Sequence, residues 1–234
     1  MDGTVTGKLN NLTTPHLADG CLKVGVSVRC GPTGLQPLLA NIRCAGRARP
    51  VRHVGSIDIF FEALHQATPG EILVIDNGGR FDEACIGDIV ALEAKAAGIG
   101  GIVIWGLHRD SRELAEIGFP VFSLGALPTG PQRLNARPAD ILARAMIGAH
   151  VVTPSDLVVA DANGVLFLPE DRLDDIIDAA ITCRETEGRQ LKAMRDGWSY
   201  RSQVHFDEYM SRRQRNGDYG FRQHLKEIAA AGEV

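Results

Sequence analysis

No Cys-x-x-Cys pair occurs in the chain, and Cys21, Cys30, Cys44, Cys85 and Cys183 stand far apart with no histidine at zinc-ligand spacing. A structural zinc is therefore not expected. The odd cysteine count and the lack of an apolar leader predict reduced thiols in a cytoplasmic protein. Long hydrophobic runs are missing too. Ile102 to Trp105 is typical of the apolar stretches, whereas a helix that crosses a bilayer needs roughly 20 such residues. A soluble protein without a membrane partner is the expectation. Neither sign of charge dominates: 25 Lys and Arg face 29 Asp and Glu, a formal net charge of -4. That balance argues against a protein whose main task is neutralising phosphates. The basic run Arg212-Arg213-Gln214-Arg215 lacks an aromatic stacking platform and reads as the solvated face of a helix, so nucleic acid is not an expected partner. Internal repeats and low-complexity segments are absent as well.

What is present is ordinary globular material, 44% hydrophobic and 23% charged over 234 residues, enough for one sizeable core. Thr14 reads as an N-cap with Pro15 at the first helical position. Residues 38–54 look β-like, and residues 57–67 return to a helical apolar face closed by Pro69-Gly70. Residues 71–76 form a compact apolar run before Asn77-Gly78-Gly79, which suits a strand covered on both faces. A helix is predicted from Gly87-Asp88 to about Ala97 with Gly98 as its left-handed stop, followed by a buried strand over residues 101–105. Arg109-Asp110 is expected at the end of that strand, and residues 120–124 read as another strand. Residues 156–160 and 164–168 form a predicted hairpin with Asn163-Gly164 in its turn. Beyond Pro169 the sequence turns charged and helix-forming: one long helix to about Gly197, then shorter ones over residues 206–213 and 221–230. The predicted organisation is a mixed α/β core over residues 1–169 and a helical extension over residues 170–234. The extension has too few apolar residues per turn to fold alone.

The most informative spacing is Asp88, twenty residues, then Arg109-Asp110. Asp88 opens a helix whose first amides, at Ile89 and Val90, are free to receive an anion such as a carboxylate. One strand-helix-strand unit would bring these groups to the same sheet edge, where ligands bind in open α/β sheets. Two carboxylates with room for water suit a hard divalent cation. Arg109 adds a planar fork that can hold a keto acid and stabilise an enolate oxyanion. Each residue alone has a plainer reading, a helix cap or a surface salt bridge. His108 could move a proton but as a lone histidine reads more often as structural. The glycine turn after Val74 lacks the fuller pattern of a methyltransferase loop.

Asn77-Gly78-Gly79, Ala84, Gly87-Asp88, Ala94-Lys95-Ala96-Ala97-Gly98, Gly101-Ile102-Val103, Gly106 and Arg109-Asp110 together resemble the signature of the RraA-like family. The segment from Thr14 to Asp19 is similar to that family's N-terminal helix. Val152 to Asp156, with Asp161, Gly164-Val165 and Pro169, resembles its late hairpin. The likeness runs from about Leu12 to Pro169. It implies a swivelling ββα-type mixed sheet. It also implies a trimer or dimer of trimers with sites between subunits. The family includes metal-dependent (class II) pyruvate aldolases acting on 4-hydroxy-4-methyl-2-oxoglutarate and 4-carboxy-4-hydroxy-2-oxoadipate. By that resemblance Asp110 would ligate Mg2+ (or Mn2+), Asp88 would hold metal-bound waters, and Arg109 would bind the pyruvyl oxygen. The backbone at Gly87, Ile89 and Val90 would receive the carboxylate of a 2-oxo acid, the expected substrate class. A glutamate from a neighbouring subunit's C-terminal helix completes family aldolase sites, with Glu187 the candidate here and Glu185 the alternative. The same resemblance leaves open a non-catalytic regulator that binds ribonuclease E or RNA helicases.

Overall fold

The computed structural model describes Leu9 and residues 11–228. The helix α1 (Thr14–Lys23) is capped one residue earlier than expected. Thr13 is the N-cap, its amide donating to Nδ1 of His16 at 3.3 Å. Thr14 is buried instead, its amide and hydroxyl both donating to the carboxylate of Asp161 at 2.7 and 2.8 Å. That contact ties the N-terminal helix to the late hairpin.

The strands β1 (Arg29–Cys30), β2 (Gln36–Pro37), β3 (Cys44–Arg52), β4 (Ile72–Asp76), β6 (Gly101–Trp105), β8 (Val121–Ser123), β11 (Asp156–Asp161) and β12 (Gly164–Pro169) form one curled sheet. Its order is β1-β12-β11-β3-β4-β6-β8-β2. The run β3-β4-β6-β8 is parallel, while β11 pairs antiparallel with both β12 and β3. Between them come α2 (Asp58–His65), β5 (Ala84–Ile86), α3 (Asp88–Ala96), β7 (Leu107–His108) and α4 (Ser111–Ile117). A hairpin of β9 (Ala145–Ile147) and β10 (His150–Val152) lies between β8 and β11.

Strand alternation sorts the apolar residues into three clusters, because successive side chains leave a strand on opposite faces. Leu73, Ile75, Ile102 and Ile104 meet α2, α3 and α4 through Phe60, Val90, Ala91 and Leu114. From the same strands Ile72, Val74 and Val103 join Val158, Ala160, Val165 and Phe167 inside the curl. The outward residues of the hairpin, Leu157, Val159, Leu166 and Leu168, are covered by α1 and by α5 (Leu173–Arg195) through Leu17, Cys21, Leu173, Ile176, Ile177 and Ala180. The two helices pass so closely that a β-carbon on Gly20 would stand 2.5 Å from the Ile176 carbonyl oxygen. The long helix thus covers the core with its first half and leaves Leu191 and Met194 exposed in its second.

After α5 come α6 (Tyr200–Gln203), α7 (Phe206–Arg215) and α8 (Phe221–Glu227). Tyr209, Tyr219, Phe221 and His224 pack ring against ring and hold α7 to α8. The expected end of the last helix at Ala230 lies outside the described residues. None of the described helices is long and apolar enough to cross a membrane.

Candidate active site

Asp88 and Arg109 are brought together by a ladder that the sequence pattern did not reveal. The strand β6 ends at Trp105 rather than carrying Arg109, and the short β7 follows it. A β-carbon on the intervening Gly106 would lie 2.8 Å from Cβ of Asn77, so only glycine allows the chain this close to the turn after β4. β7 then pairs in parallel with β5, matching Ala84 to Leu107 and Ile86 to His108. The Arg109 amide donates to the Ile86 carbonyl at 2.9 Å. Gly87-Asp88 and Arg109-Asp110 are therefore the residues that follow two adjacent parallel strands, and they emerge at the same edge.

Gly87, Asp88, Ile89, Val90 and Arg109 line one cleft of about 290 Å³, closed by Ile57 and Pro131. The amides of Asp88, Ile89 and Val90 precede the first intrahelical bond of α3, from Ala91 to Gly87. The Ile89 amide donates to Oδ1 of its neighbour Asp88 at 2.7 Å. Asp110 sits in the left-handed region, φ 58° and ψ 42°, as the N-cap of α4. Such a conformation costs on the order of 1 kcal/mol and tends to gather at functional sites. Its Oδ2 lies 3.4 Å from Nε of Arg109. The same carboxylate rests against Gly87, where a β-carbon would come within 2.1 Å of it. Arg109 is hemmed on its other side by Gly130, whose β-carbon would stand 3.1 Å from Nη1.

His108 does not face substrate with a free nitrogen. Its Nδ1 pairs with Ser123 Oγ at 2.7 Å and its Nε2 with Ser111 Oγ at 2.9 Å. Burial pushes its pKa down, with Asp110 pulling the other way. The residue clamps the start of α4 and so helps hold Asp110 in place. Glu187 and Glu185 lie exposed on α5, where Glu187 pairs with Nε2 of His16 at 3.3 Å. Neither lines the cleft of its own chain.

Sequence reasoning missed the network behind the cleft. His53, the first residue after β3, lines it together with Asp88 and Arg109. Its Nδ1 lies 2.8 Å from Oδ1 of Asn77, and Nη2 of Arg133 donates to the same oxygen at 2.9 Å. Arg133 also pairs with Glu83 at 2.7 Å. Glu83 and Arg133 stand fifty residues apart with no periodicity linking them, so no local signal marks the pair. A lone histidine at a strand end has no distinguishing pattern either.

A curled mixed sheet, with Asp88 and Arg109 on one cleft at paired strand ends, makes this a mixed α/β protein. The chain belongs to the RraA-like family: the Aldolase/RraA model matches residues 14–167. A 4-hydroxy-4-methyl-2-oxoglutarate aldolase from Thermus thermophilus is 30% identical over 128 residues, covering 55% of this chain and 77% of that protein. An uncharacterized protein from Pseudomonas syringae pv. tomato superposes with a TM-score of 0.73 at 27% identity, covering 85% of this chain and 96% of that one. Streptomyces coelicolor RraAS2, an unusual member of the RNase ES inhibitor RraA family, superposes with a TM-score of 0.69 at 25% identity, covering 83% and 98%.

Proposed function

We propose that the protein is a carbon-carbon lyase that cleaves or decarboxylates a 2-oxo acid through a pyruvate enolate, as a divalent-metal-dependent aldolase. The observation that carries this reading is the β5 and β7 pairing, which brings Asp88, Arg109 and the amino end of α3 to one cleft, with Asp110 against two of its lining residues, Gly87 and Arg109. The likeness to an aldolase of known name supports it.

The cofactor of this reading is Mg2+ or Mn2+, and the donor set fits a hard cation. Asp110 offers carboxylate oxygen on the bare Cα of Gly87, a space that any side chain there would fill. Asp88 offers a second carboxylate, on the cleft that Gly87 and Arg109 also line. Among the described residues no three His, Cys, Asp or Glu side chains converge into a cage, so an ion here would be held through few protein ligands and several waters. Asp110 would be the direct ligand and Asp88 would hold waters. The bound cation supplies Lewis-acid polarisation of the 2-oxo group.

The chain's own groups do the rest. The amide of Val90, with that of Ile89 once it exchanges its bond to the Asp88 carboxylate, receives the substrate carboxylate at the positive end of α3. Arg109 directs its guanidinium at the 2-oxo oxygen, where negative charge grows as the carbon-carbon bond breaks. Ile57, Ile86 and Pro131 exclude water from the forming enolate. In a homotrimer or dimer of trimers, Glu187 of a neighbouring copy would reach this cleft, with Glu185 as its alternative.

Pyruvate release from oxaloacetate and a panel of 4-hydroxy-2-oxo acids tests the reading. We expect turnover that excess chelator abolishes and Mg2+ or Mn2+ restores, and that Glu187→Gln lowers. Full activity in excess chelator removes the metal-dependent mechanism, and unchanged turnover in Glu187→Gln removes that residue. The second reading, a non-catalytic regulator of RNA processing, draws on the likeness to RraAS2. It predicts no pyruvate from any member of the panel and direct binding of ribonuclease E or an RNA helicase.

A further inference from the structure

We propose that His53 carries the proton of this reaction, taking it from the substrate's 4-hydroxyl on Nε2 and returning it to C3 of the pyruvate enolate. The inference rests on the aldolase reading above and adds a residue to it.

The protonation pattern of His53 follows from its partners. Oδ1 of Asn77 receives a hydrogen bond from Nη2 of Arg133 at 2.9 Å. An arginine has no acceptor to offer, so the Asn77 atom facing it must be the oxygen, whichever way the amide is drawn. Nδ1 of His53 lies 2.8 Å from that same oxygen. It must therefore carry the ring's proton, and in the neutral imidazole Nε2 is left with its lone pair. Among the described residues Nε2 has no hydrogen-bond partner. The ring is fixed besides: it stacks on Phe60 at 5.2 Å and 15°.

That ring lines the cleft shared by Asp88 and Arg109. A base there must stay neutral until it acts, and its surroundings favour this. Burial lowers the pKa of His53, the Asn77 bond and Glu83 raise it, and Arg133 lowers it, with a net shift below the ordinary 6.5. The charged groups around the ring are Arg133 and Glu83 behind it and Asp88 and Arg109 along the cleft. Arg52, Asp76 and Arg80 line a second cavity on which His53 also borders.

The step balances without any further reagent. Nε2 removes the 4-hydroxyl proton, the C3–C4 bond breaks, and its electron pair becomes the pyruvate enolate as C4 becomes a carbonyl. Once the new carbonyl product has left, the imidazolium returns its proton to C3 and gives pyruvate. The Nδ1 proton never moves, because Asn77 holds it throughout.

The test uses His53→Asn, whose side-chain amide can still donate to Asn77 while Nε2 is deleted. Two readings are taken with Mg2+ present: cleavage of the 4-hydroxy-2-oxo acid panel, and exchange of pyruvate methyl protons for deuterium followed by NMR. We expect both rates to fall about 100-fold to 10,000-fold, the usual reach of general acid-base catalysis. KM should stay within a few-fold, the acid limb of the wild-type pH profile should vanish, and imidazole should restore part of the rate to His53→Ala. Rates of His53→Asn near wild type overturn the inference and leave the aldolase reading standing. So does a loss in both variants that imidazole cannot repair and that tracks a collapse in melting temperature. A wild-type protein inert in both assays overturns the aldolase reading, and this inference with it.

Discussion

The carboxylate of Asp110 lies directly on the Cα of Gly87, so closely that a β-carbon there would stand 2.1 Å from Oδ2. The two residues follow neighbouring strands and stand twenty-three positions apart in sequence, and their contact fixes the floor of the proposed metal site. Gly87 has an extended backbone, φ −139° and ψ −158°, that alanine adopts without strain. The glycine is thus needed for space and not for conformation.

Gly87→Ala should therefore act on chemistry and spare the fold. Its methyl group must displace the Asp110 carboxylate, and a functional group moved by about 1 Å can cost on the order of 100-fold in rate. Pyruvate release and thermal unfolding on one preparation check this. We expect turnover to fall about 100-fold with a melting temperature within a few degrees of wild type; unaltered turnover would mean that the position of Asp110 does not matter.

Stability has its own titrating contact, in the carboxylate of Asp161. Burial alone pushes its pKa up, but the amides of Thr14 and Asn163 and their side chains outweigh that and hold it below the ordinary 3.8. A carboxyl whose pKa is depressed by folding stabilises the native state above its unfolded value and loses that contribution as pH falls through the folded value. Asp161→Asn should cost about 1–3 kcal/mol at pH 7. The gap from wild type should hold down to about pH 5 and close below pH 4. Urea unfolding across that range measures it, and a gap independent of pH would show that the hydrogen bonds do not favour the ionised form.

Much of this architecture was legible because burial leaves a periodic trace. The apolar runs at β4 and β6 and the Asn163-Gly164 hairpin follow from side-chain alternation and turn chemistry, and the Leu173 to Ala180 face follows from helical spacing. The spacing of Asp88 from Arg109 suggests a shared sheet edge, but the pair meets at one cleft through the β5 and β7 ladder and not through β6. Three things were not legible. The break at Gly106 and the two-residue β7 are set by a close approach to Asn77, a tertiary contact with no local signature. Pro15 suits the first turn whether Thr13 or Thr14 is the cap, and only the distant Asp161 decides between them. His53, Asn77, Glu83 and Arg133 lie on separate segments, and folding alone assembles them.

The proposed chemistry turns on Arg109. Its ion pair with Asp110 is half exposed, with 47% of the arginine side chain accessible, and a pair of that kind contributes roughly 0 to 1 kcal/mol to stability. Were that its whole role, Arg109→Lys would shift the melting temperature slightly and leave turnover intact. If it is aimed at a developing enolate oxygen, lysine keeps the charge but loses the planar fork. The decisive measurement is steady-state pyruvate release by Arg109→Lys on a substrate that the wild-type protein cleaves. We predict a fall in kcat of about 100-fold to 1,000-fold with a much smaller change in KM; a kcat near that of wild type would contradict the proposed site.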